Sequence, residues 1–198
     1  LGDVVGYGPN PARVLEEVIR TELPDAFIRF GGPHPTFSPE IIELNEHVDA
    51  ICRGEGELST VELLDKLAAG EDYQFVQNMW FRDRETGEIQ KNSQRPPVQD
   101  LDSLGFPDRS IVYDAGSLYR ESDRKVFVTQ RGCPMNCSFC FHHALKKKVV
   151  GTTNAKYVRK RTVDHVIAEI KDVRDKYNLK FVHFLDDIFN LSGKWLDE

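Results

Sequence analysis

The chain has 198 residues, which is long enough for one large domain or two small domains with a hydrophobic core. Its content of 40% hydrophobic and 29% charged residues is typical of a soluble globular protein. The formal net charge of −6 argues against nucleic acid as a general partner, and no apolar run has the length that a membrane span needs.

The first 70 residues alternate between predicted strands and predicted helices. Asn10 is a plausible N-cap for a helix with Pro11 at its first position, and Gly70 is expected to end a later helix. Strands are predicted at 3–7, 26–30 and 49–52, and helices at 11–20, 39–45 and from Ser59 or Thr60 to 69. Three β/α units in succession predict a parallel sheet with helices on its faces.

Residues 74–92 change character and predict a β-hairpin around a turn at Gly87. The proline-rich, aperiodic segment 94–108 then predicts a connector between two domains. The chain opens inside an apolar strand and closes in the first turn of a predicted helix. We therefore expect a fragment that is cut inside a domain at each end.

Three cysteines lie within eight residues, Cys133, Cys137 and Cys140, with the spacing C-x3-C-x2-C. A four-iron cluster normally takes four thiolates, so three would leave one iron open to an outside ligand. Structural zinc is the alternative, with His142 or His143 as the fourth ligand, although zinc knuckles usually space their cysteines C-x2-C. A disulfide is a third alternative, and free thiols would instead indicate a reducing cytoplasm.

A basic stretch follows the cysteines and then gives way to a helix and a strand. The run from Lys146 to Arg161 predicts a solvated loop with surface histidines before it, or cations that meet a carboxylate or phosphate of a ligand. Thr162 is expected to cap an amphipathic helix whose acids, Glu169 among them, fall away from its apolar face. A strand at 181–185 ends in Asp186 and Asp187, which either line a ligand site or cap a helix.

Two sets of residues together resemble a known family. The C-x3-C-x2-C spacing, with Phe139 before the third cysteine, resembles the signature of radical S-adenosylmethionine (SAM) enzymes. The Gly-Gly-Pro-His-Pro-Thr run at 31–36 and the Arg-Gly-Glu-Gly-Glu run at 53–57 resemble the second half of the cobalamin-binding domain in B12-dependent radical SAM enzymes. Gly105 stands where that family often has a proline, and the family's first strands are missing.

The resemblance implies a fold, cofactors and site residues. The fold is α/β: a partial Rossmann or flavodoxin-like parallel sheet at 1–72, a hairpin and connector at 73–124, and the first β/α units of a TIM-like radical SAM barrel at 125–198. The cysteines would hold a [4Fe-4S] cluster, Phe139 would lie against the adenine of SAM, and Asp186 and Asp187 would hold SAM or line the substrate cavity. In the family that the chain resembles, the glycine-rich loops surround the nucleotide tail of cobalamin. By this resemblance, the cobalamin pocket would be lined by Gly31, Gly32, Pro33, His34, Gly54, Glu55 and Gly56, with His34 as a wall residue rather than a cobalt ligand.

The implied function is an enzyme that cleaves SAM reductively and acts as a cobalamin-dependent methyltransferase or oxidative cyclase on a small organic molecule. Its reductant would be a protein such as flavodoxin or ferredoxin, in the cytoplasm. A radical SAM enzyme without cobalamin, and a non-catalytic iron–sulfur or zinc scaffold, are the alternatives. The sequence singles out no catalytic residue beyond these cofactor ligands and does not identify the substrate.

Overall fold

The computed structural model describes residues 11–116, 118–151, 155–189 and 193–197, with side chains from Glu17 onward. The chain divides into two compact units, Leu1–Pro97 and Val98–Glu198. The strand predicted at 3–7 and the N-cap at Asn10 lie outside the described residues. None of the helices in these ranges combines the length and hydrophobicity that crossing a lipid bilayer requires.

The first unit is an α/β structure built on a mixed sheet. Its strands are β1 (Arg29–Phe30), β2 (Ala50–Cys52), β3 (Met79–Arg82) and β4 (Ile89–Lys91), and its helices are α1 (Pro11–Glu22), α2 (Pro33–Phe37), α3 (Ile41–Leu44) and α4 (Glu57–Ala69). Strands β1 and β2 are parallel, as predicted, but β3 and β4 join the same sheet antiparallel. The sheet is mixed because a tight hairpin can pair only in the antiparallel sense, and β3 of that hairpin pairs with β2.

Strand β2 is buried on both faces. Because side chains alternate along a strand, Ala50 and Cys52 point into one core and Ile51 points into the other. The first core also contains Leu63, Val76, Met79 and Phe81, and the second contains Ile41, Ile42 and Val48. The chain around β2 is therefore the centre of this unit, and the loop that leaves β2 begins from a fixed position.

Helix boundaries agree with the sequence pattern at one end of α4 and differ at the other. Gly70 ends the helix in the left-handed conformation, with φ of 68°, as predicted. The helix begins at Glu57 with Gly56 as its N-cap, so the predicted start at Ser59 or Thr60 is wrong. The hydroxyl of Thr60 does not cap the helix but donates to the Gly56 carbonyl at 2.5 Å.

A buried carboxylate, Asp49, joins three separate parts of the first unit. It accepts hydrogen bonds from the Ile28 backbone N–H at 2.7 Å, from Arg20 at 2.8 Å and from Arg84 at 2.6 Å. Burial alone would raise the pKa of this carboxyl, but the bonds from Arg84, the Ile28 N–H and Arg20 outweigh it and hold the pKa below its ordinary value of 3.8. The folded state therefore favours the ionised form.

The second unit contains two small sheets and one long helix. Its strands are β5 (Arg124–Phe127), β6 (Gln130–Arg131), β7 (Arg159–Lys160) and β8 (Phe181–Phe184). Its helices are α5 (Ser110–Tyr113), α6 (Leu118–Glu121), α7 (His142–Val150), α8 (Val163–Lys176) and α9 (Gly193–Asp197), with a 3-10 turn at Asp102–Leu104. Strands β5 and β8 pair parallel, and β6 and β7 pair antiparallel.

Helix α8 buries a charge that the sequence pattern places on the outside. The hydroxyl of Thr162 caps the helix by accepting from the His165 N–H at 3.2 Å, as predicted. Glu169 is buried, contrary to the expectation that it faces away from the core. It is accommodated there because Arg109 and Arg161 approach its two oxygens at 2.7 and 2.5 Å.

Replacing Asp49 by alanine is expected to lower the free energy of unfolding of the first unit by about 1.5–3 kcal/mol at pH 7, because the buried Ile28 N–H loses its acceptor and Arg20 and Arg84 lose their ion-pair partner. The stabilisation from a carboxylate of depressed pKa is complete above the ordinary value of 3.8 and disappears as the pH falls through the folded-state pKa. The difference between the two proteins should therefore shrink below pH 3.8. Urea unfolding followed by Trp80 fluorescence, in a Trp195→Phe background, measures it.

The matched control is Glu85→Ala on the exposed turn of the hairpin, which should change the unfolding free energy by less than about 0.5 kcal/mol. A loss from Asp49→Ala that is as large at pH 3 as at pH 7 would contradict the assignment.

Candidate cofactor sites

The three cysteines lie on the loop between β6 and α7. Cys133 is buried, Cys140 is half-buried and Cys137 is exposed, and all three are free thiols. The Cys140 N–H donates to the Cys137 carbonyl at 3.1 Å, which forms a turn. Within the described ranges, no three His, Cys, Asp or Glu side chains are close enough together to hold a metal ion. The thiol chemistry fits an iron–sulfur cluster.

Gly132 fixes the way in which the chain enters this loop. Its φ is 86°, a conformation that side chains rarely adopt. A Cβ atom added there would also collide with the backbone carbonyl oxygen of Tyr157. Glycine is thus required twice at this position, once for the backbone angle and once for the close approach of another segment.

Asp186 fastens the same entry to the end of β8. One carboxylate oxygen accepts from the Thr129 N–H at 2.7 Å and from the Gln130 N–H at 2.8 Å, and the other accepts from the Thr129 hydroxyl at 2.9 Å. Both Thr129 and Gln130 are buried. The Asp186 carboxylate therefore bonds to groups of the protein itself. It links the segment before the cysteine loop to the end of β8, and we call this link the clasp.

Asp187 belongs to a second group of polar contacts, which lies at the end of the cysteine loop. Its carboxylate lies 3.0 Å from Nε2 of His142, at ion-pair distance but outside hydrogen-bond geometry, and Nδ1 of His142 lies 2.7 Å from the Tyr157 hydroxyl. The prediction that the histidines lie on a surface loop is wrong for both in one respect, because they form the first turn of helix α7. The predicted exposure is wrong for His142, which is buried, and right for His143. His142 directly follows the cysteine loop, so its contacts with Asp187 and Tyr157 restrain the end of the loop.

The Tyr157 hydroxyl lies in an electrostatically unusual position. Burial raises its pKa to about 12, and the negative charges of Asp187, Cys133 and Cys140 act in the same direction, against a lowering effect of Arg159. The hydroxyl consequently keeps its proton at neutral pH, and in its hydrogen bond with Nδ1 of His142 the tautomer of the imidazole decides which group donates.

The basic stretch divides into structural arginines and exposed lysines. Arg159 is buried and donates to the Val98 carbonyl at 2.7 Å, and Arg161 pairs with Glu169. Lys146, Lys147 and Lys148 are exposed on α7. The arginines are therefore committed to the fold, and the lysines alone keep the solvated character that the sequence indicates.

Phe139, in contrast, is 91% exposed. No described neighbour holds the ring in a stacked or edge contact, so it is free to lie against a ligand.

In the first unit, both glycine-rich segments follow parallel strands and so lie at the same edge of the sheet. Gly31 and Gly32 lead from β1 into α2, whose first two residues are Pro33 and His34. Gly54, Glu55 and Gly56 lead from β2 into α4. A Cβ atom added at Gly32, where φ is 92°, would meet nothing within 4 Å, and one at Gly31 would make ordinary contacts with Cys52 Cβ at 3.9 Å and the Arg29 guanidinium at 4.0 Å. The outer side of the first loop is therefore open, which fits the close approach of a bulky cofactor.

A pocket of about 600 Å³ in the second unit contains none of the predicted site residues. Four of its charged side chains form ion pairs with one another, Arg120 with Asp114 at 2.5 Å and Lys176 with Asp172 at 2.8 Å, and Arg109 pairs with Glu169. The pocket is thus a groove between satisfied ion pairs, and we assign it no ligand.

No protein-family profile matches the chain. Among curated proteins, it is 32% identical to an uncharacterised methyltransferase of Pyrococcus horikoshii, over 97% of this chain and 41% of that protein. It is also 32% identical to the anaerobic magnesium-protoporphyrin IX monomethyl ester cyclase of Rubrivivax gelatinosus, over 63% of this chain and 23% of the cyclase. The chain thus spans about two fifths of the Pyrococcus relative and less of the cyclase.

Two solved structures have the same fold over nine tenths of the chain. OxsB, a cobalamin-dependent SAM radical enzyme solved with aqua-cobalamin and SAM, matches with a TM-score of 0.66 and 22% identity, over 90% of this chain and 24% of OxsB. TsrM from Kitasatospora setae, a radical SAM methyltransferase solved with cobalamin and a [4Fe-4S] cluster, matches with a TM-score of 0.63 and 19% identity, over 92% and 34%. The chain shares the fold of these two radical SAM enzymes, both solved with cobalamin, and is similar in sequence to a methyltransferase and a cyclase.

The structure separates the two aspartates that the sequence treats as a pair. Asp186 is bonded to the backbone ahead of Cys133, whereas Asp187 is exposed and faces His142. Tyr157 has no signal in the sequence, because an isolated tyrosine in a basic stretch has no informative spacing. The assignment of the cysteines, Phe139, Asp186, Asp187 and the glycine loops to cofactors stays a prediction.

Gly132→Ala is expected to prevent the entry of the cysteine loop from forming, since the new methyl group meets the Tyr157 backbone. The matched control is Gly105→Ala, also at positive φ (69°) but with nothing within 4 Å, which should cost only about 1–3 kcal/mol of backbone strain. Thermal unfolding of both variants compares the two effects. Equal shifts would show that the contact with Tyr157 is unimportant.

Asp186→Ala is expected to expose the Thr129 and Gln130 amides, because each loses a charge-assisted bond worth about 1.5–3 kcal/mol. Hydrogen exchange of these two amides should accelerate accordingly. Asp187→Ala, next in the chain and without bonds to them, serves as the control. Unchanged protection in Asp186→Ala would mean that the clasp does not restrain the loop.

Proposed function

We propose that the full-length protein is a radical SAM enzyme that binds a [4Fe-4S] cluster, SAM and cobalamin, and that it acts as a methyltransferase or oxidative cyclase on a small organic molecule. The observation that carries the proposal is the loop with three free thiols, Cys133, Cys137 and Cys140, on a β/α scaffold related to OxsB and TsrM. Three thiolates from one loop can hold a four-iron cluster with one iron left for an outside ligand.

The finer fold assignment is part of this proposal. The parallel pair β5–β8 has large apolar side chains that are still exposed, including Phe181, Val182 and Leu185. Parallel sheets are normally covered on both faces, so this pair suits the first two strands of a β/α barrel that continues beyond them. The parallel β1–β2 pair with its glycine-rich exits suits the cobalamin-binding half of a flavodoxin-like domain.

The cofactors would supply the chemistry: the cluster an electron for reductive cleavage of SAM, and cobalamin a carrier for a methyl group. The residues of the chain would position them. Gly132 and Asp186 fix the start of the cysteine loop, and the contacts of His142 with Asp187 and Tyr157 fix its end. Asp187 and Phe139, both exposed, are the groups that remain available to a ligand beside the thiols.

The second set of residues would hold cobalamin in the first unit. The loops at 31–34 and 54–56 lie at the carboxyl edge of β1 and β2, where parallel sheets bind ligands. A protein electron donor such as flavodoxin or ferredoxin, and a reducing cytoplasm that keeps the thiols free, complete the proposal.

Anaerobic reconstitution of the full-length protein tests it. We expect about four iron atoms per chain, corrin absorbance, and release of 5′-deoxyadenosine from SAM on reduction. Cys137→Ala should abolish that release, because the cluster loses one of three thiolates. Cys52→Ala is the matched control, since Cys52 is buried in the sheet of the first unit and should leave iron content unchanged.

The outcomes distinguish the alternatives. Iron and SAM cleavage without corrin would leave a radical SAM enzyme that does not use cobalamin. Uptake of zinc in place of iron, or SAM cleavage that survives Cys137→Ala, would refute the cluster assignment and favour a binding scaffold.

A further inference from the structure

A single buried hydroxyl connects the two glycine-rich loops of the first unit. Thr36, in α2, is only 2% exposed. Its Oγ1 donates to the Gly32 carbonyl at 2.8 Å and accepts from the Gly54 N–H at 2.9 Å. A hydroxyl has one proton to give and lone pairs to receive, so this side chain serves both loops in one orientation.

The bond to Gly54 is the unusual one. A threonine in a helix often donates to the carbonyl four residues earlier, and Thr21 does so toward Glu17 at 2.8 Å without a second partner in the described bonds. Thr36 makes the same local bond and then reaches a loop 18 residues away. Both glycines are at positive φ, Gly32 at 92° and Gly54 at 79°, so the hydroxyl joins the two points where the backbone bends.

A second buried side chain restrains the later loop from its other side. Asn78 is 2% exposed and has a φ of 70°, a conformation uncommon outside glycine. The side-chain Nδ2 of Asn78 donates to the Glu55 carbonyl at 2.7 Å, and the backbone carbonyl of Asn78 accepts from the Arg53 N–H at 2.9 Å. Backbone groups of Arg53, Gly54 and Glu55 thus all bond to the buried side chain of Thr36 or to Asn78. A Cβ atom added at Gly32, in contrast, would meet nothing within 4 Å.

We propose that Thr36 is a positioning residue that sets the distance between the two loops for the nucleotide tail of cobalamin. The inference rests on the proposed function, because the cofactor itself is assigned there. Two loops that contact one ligand bind it more tightly when their relative position is fixed beforehand, since ordering the loops on binding would reduce the affinity. The Thr36 hydroxyl fixes that position by linking Gly32 and Gly54 directly.

The test uses the full-length protein titrated with aquacobalamin and, separately, with cobinamide, which has the corrin but lacks the nucleotide tail. Thr36→Val keeps the size of the side chain and removes the hydroxyl, and it should raise the dissociation constant for aquacobalamin about tenfold, the effect of one or two lost hydrogen bonds. Affinity for cobinamide should not change. Thr36→Ser, which restores the hydroxyl, should bind aquacobalamin almost as tightly as the original protein.

Thr21→Val is the matched control, since it loses the same local bond on an exposed surface, and neither ligand should bind more weakly to it. Equal losses for both ligands, a serine variant as weak as the valine variant, or a Thr36→Val protein that no longer folds by thermal unfolding would each overturn the role of Thr36. If the unmodified protein binds no aquacobalamin, the proposed cofactor is overturned. If the Thr36→Val variant binds aquacobalamin as tightly as the unmodified protein does, only the positioning role is overturned.

Discussion

The buried carboxylate of Glu169 is the interaction on which the second unit depends. Its oxygens accept from Arg109 and Arg161 at 2.7 and 2.5 Å. The two guanidinium groups also donate to the carbonyls of Val126 and Val128, at 2.8 and 2.9 Å, in the segment that leads into the cysteine loop. Removal of one partner from such a buried cluster typically costs about 3–5 kcal/mol. One side chain on α8 thus fixes the position from which the cysteine loop departs.

The first unit solves a similar problem with different residues. Loops at the edge of a sheet leave backbone groups without ladder partners, and those groups must be satisfied if they are buried. Asp49 receives the Ile28 N–H, Thr36 receives the Gly54 N–H, and Asn78 donates to a carbonyl of the same loop. In both units, buried polar side chains hold the loops, while apolar residues hold only the sheets and helices beneath them.

Local signals allowed much of the fold to be predicted, because caps and turns depend on neighbours within a few residues. Gly70 ends its helix and Thr162 caps the next long one for that reason. Glu169 could not be placed in the same way: its helical position points away from the apolar stripe, and its partner Arg109 lies 60 residues earlier. His142 was misplaced because its lysine-rich surroundings indicate solvent, whereas contacts from distant segments bury it. Long-range pairing of charged and polar groups was therefore the information that the sequence pattern lacked.

The distribution of restraint along the cysteine loop has a consequence for how a cluster could bind. The entry is fixed by Gly132 and Asp186, and the exit is fixed by His142, but Cys137 in the middle is exposed. A loop that is fixed at both ends loses little further conformational entropy when its middle residues bind a ligand. Exposed residues in the middle of the loop still leave the ligand a way to bind. Because Cys133 is buried at the fixed entry while Cys137 is exposed, the middle of the loop is the part of it that a ligand can reach.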